Sequence, residues 1–86
     1  MAGNQRAWGI EVGVAAVKAI CLERSGDQVA VSDFCVIPHS RTLGDPDLSG
    51  QESDAIVRFS LGQLISQKSL EGETLVMNLP GQDALI

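Results

Sequence analysis

From Ala7 onward the apolar positions alternate. Trp8, Ile10 and Val12 share one face and Gly9 and Glu11 the other, which predicts a strand over residues 7–12. Gly9 within it points to a close backbone approach or a bulge. Gly13 marks the first turn, since glycine alone takes positive φ without penalty. A second strand is expected over residues 15–24, where Ala15, Val17, Ala19 and Cys21 alternate with Ala16, Lys18, Ile20 and Leu22. Both of its faces are largely apolar, the pattern of a strand inside a covered sheet. A helix from Ala15 to Arg24 is the competing reading, and the β-branched residues and short length weigh against it. Ser25-Gly26-Asp27 signals a turn. A third strand over residues 28–37 carries Val29, Val31, Phe34, Val36 and Ile37; its phase slips near Asp33, as at a bulge, and Pro38 ends it.

Residues 39–50 read as a polar loop with Gly44, Pro46 and Gly50. Ser49-Gly50-Gln51-Glu52 fits a capping box, with Ser49 as N-cap and Glu52 reaching back, and a helix is expected to run to about Lys68. Val57, Leu61, Leu64 and Ile65 form its apolar stripe, widened by Ile56 and Phe59, and read as core packing. Glu71-Gly72 punctuates the chain. Residues 74–79 predict a fourth strand, closed by Pro80-Gly81. Tight turns make the first three strands antiparallel. The helix is then a crossover that returns the chain as a parallel strand, and the expected spatial order is 3-2-1-4. One helix cannot cover both faces of a four-stranded sheet, so one face is expected to be bare.

Length and charge narrow the classes. With 86 residues the chain is one small domain at most, and a domain of this size buries only about 60% of its unfolded surface. An apolar fraction of 44% sets it apart from disordered chains. A net charge of −5, with one Trp, two Phe and no Tyr, provides neither the basic patch nor the stacking platform that nucleic acid requires. No run approaches the ~18 apolar residues that cross a bilayer. Residues 1–6 are polar and expected to fray; with one basic residue and no apolar stretch behind it, this opening does not read as a secretory signal, so a cytoplasmic location is expected. Across the Ser25–Asp27 turn Cys21 is expected opposite Val31 and Cys35 opposite Val17. An offset of about four residues, ~13 Å, exceeds disulfide reach, so both cysteines read as buried reduced thiols.

The candidate chemistry lies in the opening hairpin. Taken singly, each residue there has an ordinary structural account. Glu11 is a solvated carboxylate at a strand end, Lys18 can snorkel from a strand edge, and Gly13 serves the turn. Together, an acid, a turn glycine and a lysine in one hairpin suit a phosphate and its magnesium ion. His39 stands alone beside Pro38 with no second ligand near it in the sequence, and is assigned no metal.

The order of elements, with Trp8-Gly9-Ile10-Glu11-Val12-Gly13, Lys18 and, later, Val76-Met77-Asn78-Leu79-Pro80-Gly81, resembles the first subdomain of the actin-like ATPases, a ribonuclease-H-like α/β fold. Within that superfamily the resemblance is to the PilM family of type IV pilus assembly proteins, related to the cell-division protein FtsA. It runs from about residue 7 to the end and implies that residues 1–86 are a partial N-terminal actin-like ATPase subdomain. It also implies that the hairpin is the first phosphate-binding loop. In that loop Glu11 would hold Mg2+ through water, backbone N–H groups at Gly13 and Val14 would meet phosphate oxygens, and Lys18 would aim its charge at the terminal phosphates. ATP and Mg2+ are thus implied for a full-length protein. This stretch alone lacks the second phosphate loop and the adenosine-binding segment, and is expected to hydrolyse nothing. The implied partners are a short PilN-like peptide of an inner-membrane pilus assembly protein, or the rest of its own chain, within an oligomeric platform peripheral to the inner membrane.

Two features depart from the family pattern. Glu11 stands where aspartate is usual, one methylene longer. Val14, Ala15 and Ala16 stand where hydroxyl residues are common, leaving only backbone donors. These departures support a second reading, a non-catalytic scaffold or interaction module of a pilus or secretion platform. A distant third, a ribonuclease-H-like nuclease, needs several carboxylates around two metal ions; the fourth strand instead ends in Asn78, and the acidic charge disfavours a nucleic-acid substrate.

Overall fold

The computed structural model describes residues 5–78. Its elements follow in the expected order: β1 (Gln5–Val12), β2 (Ala16–Ser25), β3 (Gln28–Pro38), α1 (Gly50–Gln67) and β4 (Thr74–Asn78). They form one four-stranded sheet ordered β3-β2-β1-β4. β2 runs antiparallel to both β1 and β3, whereas β4 lies parallel to β1 after the helical crossover. Residues 16–25, rich in β-branched and small apolar side chains, are a strand and not a helix. β1 begins at Gln5, two residues before the expected start, and α1 ends at Gln67 with Lys68 as its C-cap. Leu79 and the Pro80-Gly81 pair lie outside the described residues.

The alternation seen in β1 sets the core. Trp8, Ile10 and Val12 are buried on one face together with Val17, Ala19 and Cys21 of β2 and Cys35 and Ile37 of β3. Helix α1 lies on this face and contributes Leu64, flanked by Val57 and Leu61. The stripe is narrower than its spacing suggests: Phe59 and Ile65 are exposed, because α1 meets the sheet along the line of Val57, Ser60, Leu61 and Leu64, and the other two lie on its flanks. The capping box forms as expected, Ser49 Oγ accepting from Glu52 N–H at 3.1 Å and Glu52 Oε1 accepting from Ser49 N–H at 2.9 Å. At its other end α1 is tied to β3, where Lys68 pairs with Asp33 at 3.0 Å and Cys35 Sγ contacts Gln67 Oε1 at 3.5 Å.

Three local expectations are corrected. The β2–β3 turn closes on Ser25 and Gln28, so Gly26 (φ +63°) and Asp27 alone form the loop. Ser32 is the extra residue of a bulge opposite Cys21 and Leu22, with its hydroxyl on the Cys21 carbonyl. The combined shift places Cys21 opposite Asp33 and Cys35 opposite Ala19, not Val31 and Val17; both cysteines are buried and free. Gly9 pairs regularly, and a Cβ there would meet Ile20 at 3.7 Å, ordinary contact, so it marks neither a bulge nor a close approach. Gly13 is not at positive φ. Its constraint is space, since a Cβ there would sit 3.3 Å from the Ala16 carbonyl oxygen.

The bulge has a consequence for the far face. Before it Val29 and Val31 point away from α1, and after it Phe34 and Val36 do, because the extra residue resets the period of two. Ile20 and Leu22 of β2 and Val76 of β4 share that face, and all seven are at least 40% exposed. The apolar pattern of β2 therefore does not mean that both faces are covered here: α1 covers one, and among the described residues nothing covers the other.

Candidate functional site

The hairpin that joins β1 to β2 places the predicted residues together. Glu11 and Lys18 are direct cross-strand partners, and Glu11 is also the register partner of Asn78 on β4. Partners across a ladder share a face, so Asn78, Glu11 and Lys18 form a polar row across three strands on the bare side of the sheet, with side-chain roots about 5 Å apart. Val36 extends the row on β3. Glu11, Lys18 and Asn78 are exposed, and among the described residues neither Glu11 nor Lys18 enters an ion pair. Next to the row the bare face is hollowed into a shallow depression of about 630 Å³, floored by Gly9, Ile20, Val31, Phe34 and Val76.

The turn itself is held from behind. Gly13 N–H donates to the Ala16 carbonyl at 2.9 Å and closes the hairpin. The segment after β3 then collects the remaining carbonyls. Leu43 N–H donates to Val14 O at 2.8 Å, with Thr42 Oγ1 3.5 Å from the same oxygen; His39 N–H donates to Ala15 O at 2.9 Å; and His39 Nε2 reaches Gly13 O at 3.0 Å. All four carbonyls of residues 13–16 are thus bonded to protein donors. The amides of Val14 and Ala15 donate no hydrogen bond among the described residues, and both residues are exposed. A turn whose negative dipole ends are satisfied by its own chain and whose outer N–H groups are open is suited to an anion. This shifts the sequence expectation by one residue: the open donors are Val14 and Ala15, not Gly13 and Val14, because the Gly13 amide is spent on the hairpin.

His39 is not alone. Its Nδ1 lies 2.7 Å from the hydroxyl of Ser60, a residue 1% exposed on the core side of α1. Since a carbonyl only accepts, Nε2 must carry the proton toward Gly13; in the neutral ring Nδ1 then accepts from Ser60 Oγ–H. The ring spans from the helix to the turn. Sequence reasoning gave His39 and Asn78 no place in the site and did not single out Ser60. A serine in the apolar line between Val57 and Leu64 was the available signal for Ser60; nothing in the sequence alone linked it to a histidine 21 positions earlier.

The donor set fits one cation weakly and a phosphate better. Glu11 is a single carboxylate, able to meet Mg2+ through water, while Lys18 and the two amides suit phosphate oxygens. Among the described residues no three His, Cys, Asp or Glu side chains gather as a metal site, so the carboxylate cluster of a two-metal nuclease is not found there. Nor is any described helix long and apolar enough to cross a membrane.

No protein-family model matches the chain, and no curated protein matches it in sequence. In structure it is similar to the Aquifex aeolicus member of the Ppx/GppA protein family, with a TM-score of 0.60 at 11% identity. The match covers 90% of this chain and 26% of that one, so the chain spans about a quarter of the solved protein. At that identity the likeness concerns the fold alone. The Ppx/GppA neighbour has the actin-like ATPase fold, and the 3-2-1-4 mixed sheet with its crossover helix is the same arrangement.

Proposed function

We propose that this chain is the N-terminal, phosphate-binding subdomain of a larger actin-like ATPase-fold protein, and that its first hairpin contacts the phosphates of a magnesium-bound nucleotide. The observation that carries this reading is the row of Lys18, Glu11 and Asn78 on the strands of a hairpin and its parallel neighbour, with a hairpin turn that leaves the amides of Val14 and Ala15 open. Lys18 supplies a positive charge to the terminal phosphates, the amides supply donors, and Glu11 orients magnesium-bound water. Charge neutralisation and positioning are what phosphoryl chemistry asks of a protein. The nucleotide is ATP, its remaining contacts come from later segments, and these 86 residues alone turn nothing over. At the finer level the Gly9-Ile10-Glu11-Val12-Gly13 and Val76-to-Gly81 motifs support a PilM-like protein of type IV pilus assembly, cytoplasmic and peripheral to the inner membrane, that docks a PilN-like peptide.

The test is thermal. A longer natural product containing this stretch is melted with and without ATP and Mg2+. Stabilisation that Lys18→Ala abolishes supports the reading; no stabilisation in the unaltered protein contradicts it. The second reading, a scaffold that has lost its nucleotide, is favoured by the hydroxyl-free Val14-Ala15-Ala16 turn and by the apolar bare face. It predicts the same melting temperature with and without ATP.

A further inference from the structure

We infer that His39 is a positioning residue for the anion site: its ring transmits the position of α1 to the Val14–Ala15 turn. The inference rests on the phosphate-binding reading and adds a component that no motif contains. The turn has few internal restraints. Its closing pair is held by Gly13 N–H on Ala16 O, and no described hydrogen bond returns from Ala16 N–H to the Gly13 carbonyl. The Gly13 carbonyl is instead taken by His39 Nε2 at 3.0 Å. The backbone N–H of the same residue takes Ala15 O at 2.9 Å. One residue therefore holds the carbonyls on both sides of Val14.

Those two carbonyls belong to the peptide units whose N–H groups are Val14 and Ala16, so fixing Gly13 O fixes the direction of the Val14 amide across the peptide plane. The other end of the ring is anchored. Ser60 is 1% exposed, on a helix whose neighbouring Leu64 and Leu61 pack in the core, and its hydroxyl meets Nδ1 at 2.7 Å. A histidine donating from Nε2 and accepting at Nδ1 fits this span, because the two roles sit on opposite sides of one rigid ring. Without it the Gly13 carbonyl is free to turn toward the anion, where its negative end would oppose binding.

The test separates this role from packing by using two amides that each mimic one ring nitrogen. A glutamine side-chain amide reaches about as far as Nε2 and can still donate to Gly13 O; an asparagine amide reaches only as far as Nδ1. Binding of magnesium triphosphate to the 86-residue chain is measured by calorimetry for the unaltered protein, His39→Gln, His39→Asn, His39→Ala and Lys18→Ala. We expect His39→Ala and His39→Asn to weaken binding about tenfold, the worth of one hydrogen bond, and His39→Gln to stay within about threefold. Equal losses in Gln and Asn, or unchanged affinity in Ala, overturn the inference. If the unaltered chain binds and only the His39 series fails to follow this order, the phosphate-binding reading stands without it. If the unaltered chain does not bind, the inference falls, whereas the phosphate-binding reading falls only if the longer natural product is also not stabilised by ATP and Mg2+. A measurement on the unaltered chain guards against variants that do not fold. Side-chain ¹⁵N resonances of His39 must show the proton on Nε2, and its signal must shift as triphosphate is added. A ring protonated only on Nδ1, or one indifferent to triphosphate, contradicts the inference.

Discussion

Lys18 and Glu11 face each other across β1 and β2 with open solvent above them, and neither is spent on an ion pair with the other. An exposed lysine without a described partner contributes little to stability, so its truncation separates binding from folding. Lys18→Ala is expected to lower triphosphate affinity at least tenfold while shifting the melting temperature by no more than a degree or two, as read by calorimetry and thermal unfolding of the same sample. Much of this site was legible in the sequence, because Glu11, Gly13 and Lys18 lie within one hairpin, and pairing across that hairpin places the first and last on one face. Two things were not. Asn78 joins the row only through parallel pairing, whose register depends on how everything between β1 and β4, two strands and the helical crossover, packs. His39 meets Ser60 and Gly13 only after the chain between them has folded, so its isolation in the sequence said nothing about its partners.

Elements here are specified at their ends and along narrow lines. α1 has a complete capping box, and Ser49→Ala is expected to cost about 1 kcal/mol in chemical denaturation. Ser49, first through its backbone N–H and then its hydroxyl, holds the Glu52 carboxyl below the usual carboxylate range. Lys68 does the same for Asp33, and Arg41 for Asp45. A carboxyl whose folded pKa is depressed contributes stability that is present above its unfolded pKa and lost as pH falls through the folded one. The chain is thus expected to lose stability as pH drops below about 4, and Glu52→Gln to flatten part of that slope in urea melts taken at successive pH values. The line of contact between α1 and the sheet predicts that Leu64→Ala, at a fully buried position, costs about 2–5 kcal/mol, whereas Ile65→Ala costs under about 1. Apolar spacing showed that a stripe exists but not its width. Val57, Leu61 and Leu64 pack, and Phe59 and Ile65 lie beyond the edges of what one sheet face can reach. The bulge was readable as a slipped phase near Asp33, but not its size. One extra residue at Ser32, added to a two-residue turn at Gly26-Asp27, was enough to displace the expected cysteine register.

At the scale of the described residues as a whole, a mixed sheet carries one helix on one face and nothing on the other. Seven large apolar side chains there are at least 40% exposed, among them Phe34 and Val31. Such a patch favours association. The isolated chain is expected to self-associate at micromolar concentration in analytical ultracentrifugation, and a paired change, Val31→Lys with Phe34→Lys, to shift it toward monomer without lowering its melting temperature. A monomeric chain with cooperative unfolding before any such change would contradict the reading as one subdomain of a larger protein. The fold class followed from the order of strands, turns and crossover, since few topologies satisfy antiparallel hairpins and a parallel return on one sheet. Which relatives share it could not follow from that order, because the same sheet hosts many functions and the likeness to the Ppx/GppA structure is one of fold at 11% identity.

The most direct test of the hairpin as a phosphate site is a two-dimensional ¹⁵N–¹H titration of the 86-residue chain with magnesium triphosphate. The expected result is saturable shifts confined to Val14, Ala15, Lys18 and their neighbours in the row, with Glu11 and Asn78 responding only when Mg2+ is present, and all of them lost in Lys18→Ala. Silent Val14 and Ala15 amides, or shifts gathered instead around Arg24 and Arg41, would show that the phosphate binds elsewhere or not at all, and that the hairpin is a structural turn alone.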